Sequence, residues 1–219
     1  MGHADRLGRV AFHPGGAQVA TAGFDATWRL WDCETGRELL CQEGHSRAVY
    51  CVAFQNDGAL ALSGGLDGHA RVWDLRTGRS VLTLSGHVRA VLACDWSADG
   101  HTAATGAGDH AARLWDCRAA GRCITQLPAH AGLLTAVRFE PRAGGALLTS
   151  SHDGTVKLWG APAWGLLRAM RTGEGRIMAA DLVANAELVA TAAYDRTVRI
   201  WAVPVPHQQG GADAAMQEA

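Results

Sequence analysis

Five tryptophans recur along this 219-residue chain at nearly constant intervals, and their spacing restricts the fold more than any other feature. The intervals are 42, 42, 44 and 42 residues, and the positions are Trp31, Trp73, Trp115, Trp159 and Trp201. A period of about 40–45 residues built from short β-rich segments is typical of an array of four-stranded sheets. The sequence therefore predicts a single repetitive all-β domain.

The second repeat shows the pattern most completely. It opens on Gly44-His45 and reaches a Trp-Asp pair at Trp73-Asp74, with apolar runs and turns between them. After the fifth repeat, two prolines and low-complexity polar sequence follow, and proline cannot donate to a sheet ladder. We therefore predict repeats over 1–43, 44–85, 86–128, 129–172 and 173–202, and a disordered C-terminal tail over 203–219.

The Gly-His and Trp-Asp pairs at this period resemble the WD40 family over residues 1–202. The resemblance implies an all-β WD40 β-propeller in which each repeat is one blade. Five blades at the pitch of a seven-bladed propeller form a partial or open ring, and a closed five-bladed ring is the alternative. An open ring leaves two blade faces and a strand edge exposed.

Four kinds of polar side chain keep one register in the repeats. An Asp lies six residues before each Trp, a hydroxyl lies four before each Asp, and a His lies 18 or 19 before four of the hydroxyls. The WD40 resemblance implies a buried hydrogen-bonded chain in which the Asp accepts from the His and the hydroxyl joins the His to the indole. The residues of this structural network are His3, Thr21, Asp25, Trp31, His45, Ser63, Asp67, Trp73, His87, Thr105, Asp109, Trp115, His130, Thr149, Asp153, Trp159, Thr191, Asp195 and Trp201.

The fifth repeat departs from this register. Gly173 stands where the His is expected, so Asp195 lacks that partner. The repeat also lacks a sequence suited to an outer strand. We predict that the fifth blade is the least stable.

Loops carry most of the binding function of a rigid scaffold. The WD40 resemblance implies that the usual contact face holds the turns before the first and third strands of each blade. Four arginines and two aromatic rings there would suit an acidic or phosphate-bearing partner. The expected partner-binding residues are Arg6, Phe24, Arg47, Leu66, Arg89, His152, Arg176 and Tyr194.

Charge and hydropathy exclude several classes of function. The formal net charge is −1, which argues against a broad nucleic-acid-binding surface. No apolar run reaches the roughly 18 residues of a membrane span, and the first residues lack the apolar core of a signal peptide. We therefore expect no membrane partner.

No motif for cofactor or metal chemistry stands apart from the repeat. Residues 106–111 match GxGxxA, but they fall between two predicted strands rather than before a helix. The histidines show no HxxH or HExxH spacing, and the recurring Asp and His residues already have structural roles. We predict no cofactor, no metal, no catalytic residue, no small-molecule substrate and no enzymatic activity.

A narrower resemblance rests on several uncommon words in one order, including GHADRLGRVAFHP (2–14), GGLDGHARVWDLRTGR (64–79) and YDRTVRIW (194–201). They resemble the C-terminal propeller of the pre-mRNA-processing factor four family, whose N-terminal region and about two blades are missing here. This implies a nuclear scaffold of the U4/U6 and U4/U6.U5 small nuclear ribonucleoproteins. The implied partners are spliceosomal proteins of the U4/U6 particle, among them the pre-mRNA-processing factor three subunit and a cyclophilin, and U4/U6 snRNA contacted mainly indirectly. A WD40 adaptor of another complex, such as a ubiquitin-ligase substrate receptor or a signalling scaffold, is the alternative.

Overall fold

The computed structural model describes residues 2–173, 175–184 and 186–203. These residues form nineteen β-strands and no helix. The described part of the chain accordingly contains no helix with the length and hydropathy to cross a membrane. The all-β prediction is confirmed.

The strands follow the repeats closely. In chain order they are β1 (Leu7–Phe12), β2 (Gln18–Gly23), β3 (Trp28–Asp32), β4 (Glu38–Gln42), β5 (Val49–Phe54), β6 (Leu60–Gly65), β7 (Ala70–Asp74), β8 (Arg79–Leu84), β9 (Val91–Trp96), β10 (Thr102–Ala107), β11 (Ala112–Asp116), β12 (Arg122–Leu127), β13 (Leu134–Phe139), β14 (Ala146–Ser151), β15 (Thr155–Gly160), β16 (Gly165–Arg171), β17 (Ile177–Leu182), β18 (Leu188–Ala193) and β19 (Val198–Ala202).

The strands form five antiparallel sheets in which each strand pairs with its neighbour in the chain. The first four sheets have four strands, and within the described residues the fifth consists of β17, β18 and β19. Short turns suffice to join antiparallel neighbours, so each repeat folds as one blade. Five blades of a WD40 propeller are therefore present, as predicted.

Each innermost strand carries a β-bulge at the same place, close to its first residue. In β5 the pairing with β6 shifts between Val49 and Cys51, and the other blades shift at the corresponding step. A bulge leaves one extra residue unpaired and re-aims its side chain. The bulged residues are Gly8, Tyr50, Leu92, Thr135 and Met178.

Apolar side chains on facing blades form the core. Alternation along each strand sends one set of side chains to the preceding blade and the other to the following blade. Between the first two blades, the rings of Trp28 and Trp73 meet edge to face with centroids 5.8 Å apart. Trp73 and Trp115 are almost fully buried between blades, whereas Trp31 and Trp201 at the two ends of the array are only half-buried.

The ring is open, and its two end faces are apolar. On the first blade Val10 and Phe12 are 63% and 71% exposed. On the fifth blade Val198 and Ile200 are 73% and 72% exposed. The corresponding side chains of the inner blades are buried, so each end face has the composition of an interface between blades.

The predicted C-terminal tail lies outside the described residues from 204 onward. Its first residue, Val203, is buried against the fifth blade, and its N–H donates to the Glu187 carbonyl oxygen at 2.6 Å.

Candidate functional site

The four recurring polar side chains meet in each of the first four blades. The His Nδ1 lies 2.9–3.2 Å from the Asp carboxylate, and the His Nε2 lies 2.7–2.9 Å from the Ser or Thr hydroxyl. The indole N–H donates to the same hydroxyl oxygen at 2.8–3.0 Å. Each chain joins the turn between the second and third strands to the loop that enters the blade.

These contacts fix one direction of hydrogen bonding. The hydroxyl accepts from the indole, so its own proton is free to donate to the His Nε2. The His then carries its proton on Nδ1 and donates it to the Asp. A neutral imidazole satisfies every member of the chain, and burial accordingly lowers the pKa of His45, His87 and His130.

The carboxylate at the end of each chain is held in its charged form. Burial alone would raise the pKa of Asp25, but hydrogen bonds from the Thr27 hydroxyl, the Ala4 N–H and His3 outweigh it and lower that pKa to about 2. The pKa of the Asp is lowered in the next three blades as well, again against the effect of burial. Both the Asp and the His bind protons less tightly in the folded chain than in the unfolded chain. The free energy of unfolding is therefore higher near neutral pH and falls on acidification.

The fifth blade keeps only part of this arrangement. The Trp201 indole donates to Thr191 at 3.1 Å. Asp195, with Gly173 at the His position, instead accepts from the Thr197 hydroxyl at 2.6 Å and from Arg199 at 3.4 Å. Its side chain is about one-third exposed, so this turn is held less firmly than the turns of the inner blades.

A further hydroxyl joins the network in three blades and was not predicted. Thr27, Thr155 and Thr197 each stand two residues after the Asp and donate to it at 2.6–2.7 Å. The signal was available, because threonine recurs at this position of the repeat. His69 and Ala111 occupy it in the other two blades and supply only a backbone N–H.

The residue directly after each Asp adopts a left-handed backbone conformation. Gly68 and Gly154 have φ of +81° and +77°, and a Cβ at Gly154 would lie 3.0 Å from the Gly173 carbonyl oxygen. The remaining blades place Ala26, His110 and Arg196 there, also with positive φ. The Asp side chain compensates for this strained turn by accepting the backbone N–H two residues ahead.

The four arginines of the expected contact face occupy two different positions of the repeat. Arg6 and Arg176 directly precede the inner strand and accept a backbone hydrogen bond from Phe24 and Tyr194. In the second and third blades the corresponding carbonyl oxygens belong to Ala48 and Ala90. Arg47 and Arg89 therefore lie one residue earlier in their loops than Arg6 and Arg176 do. All four arginines are exposed.

The predicted partner-binding residues form small groups rather than one continuous patch. The Arg6 guanidinium lies 4.1 Å from the centre of the Phe24 ring. Burial and the charge of Arg176 lower the pKa of His152. Arg47, Leu66 and Arg89 line a separate groove between the second and third blades.

A polar cluster in the central channel was not predicted from sequence. Arg9 donates to the Thr135 carbonyl oxygen across the ring, and Arg138 lies 3.8 Å from both Asp95 and Asp181. The Phe139 N–H donates to Asp95 at 2.8 Å, yet burial raises the pKa of Asp95 to about 6. Asp95, Arg138 and Asp181 share one position of the innermost strand, but that position holds alanine in the first two blades and both signs of charge in the others, so the repeat pattern did not reveal the cluster.

The features weighed for cofactor or metal chemistry have structural positions. Residues 106–111 run from the end of β10 through the turn to the residue before β11, with no helix behind them. Among the described residues, no group of three or more His, Cys, Asp or Glu side chains is arranged to hold a metal ion.

The sequence matches the family model "WD domain, G-beta repeat" at 1–32, 36–74, 78–116, 121–160 and 166–202. The chain belongs to the WD40 family. Each match ends at the last residue of the third strand of a blade, and from the second match onward it starts at the outer strand of the preceding blade, so the family repeat is offset from the folded blade by one strand. WD40 propellers are generally non-catalytic scaffolds.

Relatives of this WD40 chain include a splicing protein with a long match. This chain is 53% identical to "U4/U6 small nuclear ribonucleoprotein PRP4" of Saccharomyces cerevisiae over 203 residues. The match covers 92% of this chain and 44% of that protein. This chain is 47% identical over 62 residues to a PRP4-like protein of Arabidopsis thaliana, covering 28% of this chain and 11% of that one. A nuclear distribution protein PAC1 of Arthroderma benhamiae is 45% identical to this chain over 47 residues, and the match covers 22% of this chain and 10% of that protein. The chain spans less than half the length of each.

Proposed function

We propose that this WD40 chain is a protein–protein interaction scaffold of the U4/U6 small nuclear ribonucleoprotein and of the U4/U6.U5 tri-snRNP in pre-mRNA splicing. One observation carries the proposal: 53% identity to a U4/U6 small nuclear ribonucleoprotein subunit over 92% of this chain. The match to PAC1 covers about one blade, whereas this match runs through all five. It therefore reaches the blade-specific loops as well as the shared repeat.

The proposed partners are spliceosomal proteins of the U4/U6 particle, including the pre-mRNA-processing factor three subunit and a cyclophilin. U4/U6 snRNA is contacted mainly through those proteins, and the site of action is the nucleus. The chain works without catalysis and without a small-molecule substrate. The rigid hydrogen-bonded turns support this role, because they hold the loops of the contact face in fixed positions.

We also propose that the eight contact-face residues described above touch these partners. The exposure of Arg6, Arg47, Arg89 and Arg176 supports this. Arginines and aromatic rings are the side chains most often found at the energetic centre of protein interfaces.

The test is affinity purification of the tagged chain from nuclear extract, followed by hybridisation for the bound RNA. The proposal predicts that U4 and U6 RNA are enriched together and that the enrichment is lost after the duplex is unwound. Enrichment of neither RNA, with a ubiquitin ligase or a signalling complex recovered instead, would show that the chain is a WD40 adaptor of another assembly.

A further inference from the structure

A groove of about 700 Å³ opens on the contact face between the second and third blades. Its rim carries Arg47 and Arg89, and its apolar lining includes Leu66, Val88, Leu92 and Leu133. Val88 is 84% exposed. Val88 is not isolated, because it lies with the three leucines beside two arginines, and a contiguous apolar patch rimmed by polar residues marks a binding surface.

The groove exists because two positions of the repeat hold smaller side chains here than they hold between the first and second blades. Between the first and second blades, the residue before the Asp and the bulged residue are Phe24 and Tyr50, whose rings meet edge to face at 6.1 Å. Between the second and third blades the same two positions hold Leu66 and Leu92. Two leucines do not fill the space that two aromatic rings fill, so this junction is left open.

The exposed charge at the groove is positive. No salt bridge to Arg47 or Arg89 occurs among the described residues. Arg47 donates to the Leu66 carbonyl oxygen at 3.3 Å. The nearby carboxylates are unavailable, because Asp67 and Asp109 have buried side chains that already accept from His45 and His87.

We propose that this groove binds an extended acidic peptide of a partner protein, with its carboxylates on Arg47 and Arg89 and an aliphatic side chain among Val88, Leu92 and Leu133. The inference rests on the proposed function to the extent that the contact face is taken as the docking surface. It adds the location of one site and the chemistry of the peptide that fits it.

Two other ligands suit the groove less well. A single-stranded RNA would require exposed aromatic rings on which its bases stack, and the groove lining has no Phe, Tyr or Trp, while its His87 is buried. A phosphate group would require donors that converge on one point. Arg47 and Arg89 occupy the same position of successive blades, so they suit two carboxylates spaced along a peptide.

The test is fluorescence anisotropy with the purified chain and a short labelled peptide of alternating glutamate and leucine. We expect a Kd below about 1 mM. Arg47→Glu and Arg89→Glu should each raise the Kd at least about tenfold, because each replaces attraction by repulsion. A peptide with glutamine in place of glutamate should bind at least about tenfold more weakly. Arg76→Glu and Arg118→Glu are the matched controls and should leave the Kd unchanged, because those exposed arginines lie in turns after the third strand.

Each contrary result overturns the inference. These results are no binding of the glutamate–leucine peptide below about 1 mM, an unchanged Kd in both groove variants that keep the wild-type melting temperature, or tighter binding of a phosphoserine peptide or of oligouridine. The assay contains no snRNP component. Its failure therefore leaves the scaffold proposal standing, and a failed co-purification of U4 and U6 leaves the groove inference standing.

Discussion

Each hydroxyl at the centre of a blade network accepts one hydrogen bond and donates another, so its loss leaves two buried groups without partners. In the third blade Thr105 joins the Trp115 indole to His87, and the Thr105 side chain is fully buried. In the fifth blade Thr191 accepts from Trp201, a half-buried ring, and Gly173 supplies no imidazole.

We therefore expect Thr105→Val to destabilise the chain more than Thr191→Val. Valine preserves the shape but removes the hydroxyl, and an unsatisfied buried polar group costs about 1–3 kcal/mol. The loss at Thr191 should stay below about 1 kcal/mol, because the Trp201 donor is partly exposed and the bond from the Thr191 hydroxyl to the Arg199 carbonyl oxygen is long, at 3.5 Å. Urea unfolding of both variants measures the difference. Equal losses would mean that the His contact adds nothing to the network.

A second prediction at this scale concerns Asp95 and pH. The folded state raises its pKa to about 6, so the folded state binds the proton more tightly than the unfolded chain. Stability from this group therefore falls as pH rises from about 4 to about 6 and stays low above that. The side chain is 18% exposed and Arg138 and Asp181 face it, so the loss should be at most about 3 kcal/mol.

Asp95→Asn removes the charge and can keep the acceptor for the Phe139 N–H. We expect the variant to gain stability relative to wild type at pH 7.5, and to lose most of that advantage at pH 4.5. Chemical unfolding of the variant and of the wild type at each pH gives the stability gained by the substitution, and the two gains are then compared. An advantage of the same size at both pH values would show that Asp95 titrates as an ordinary exposed carboxyl.

Blades differ in stability because of what surrounds them. An inner blade buries both faces and carries a complete hydrogen-bonded chain, whereas the described part of the fifth blade exposes one face, has three strands and lacks the His. Local opening is easiest where few apolar contacts are lost. The fifth blade is therefore the element expected to open first.

Native-state hydrogen exchange tests this order. We expect the amides of β18 and β19, Leu188–Ala193 and Val198–Ala202, to exchange faster than those of β6 and β7, Leu60–Gly65 and Ala70–Asp74. The second blade is the matched control, since it has the same strand pattern with both faces covered. Slower exchange in the fifth blade would contradict the prediction.

The sequence predicted the blades well because their spacing is a property of the chain itself. The tryptophan period located the third strand of every blade. The Asp, hydroxyl and His positions located the side chains that meet in blades one to four. The central channel could not be predicted in this way. The contact between Arg9 and Thr135 depends on the curvature of the ring, and the raised pKa of Asp95 depends on the side chains of three blades. The open groove was missed too, because only the packing shows that Leu66 and Leu92 leave space.

Across the whole molecule, the open ring exposes two faces that resemble interfaces between blades. Val10 and Phe12 at one end, and Val198 and Ile200 at the other, are apolar and exposed. Complementary apolar faces on one molecule allow head-to-tail association, which need not close into a ring.

We expect the isolated chain to associate as its concentration rises, and Val10→Glu combined with Ile200→Glu to reduce that association, because two like charges would then face each other across the contact. Both side chains are exposed, so the melting temperature of the monomer should change little. Sedimentation velocity over a range of concentrations measures the effect. Val81→Glu, on an exposed site of the outer strand β8, is the control and should leave association unchanged. Equal association of the double variant and wild type would show that the end faces are not responsible.

The central claim is that this WD40 chain holds U4/U6 particle proteins through its contact face, and the most direct measurement compares two charge-reversal variants in one co-purification from nuclear extract. One variant reverses Arg6, Arg47, Arg89 and Arg176 on the contact face. The other reverses Arg76 and Arg118, which are exposed in turns on the opposite side of the blades. We predict that the first variant loses U4 and U6 RNA while the second retains them at the wild-type level. Retention by both folded variants, or loss by the second alone, would contradict the claim.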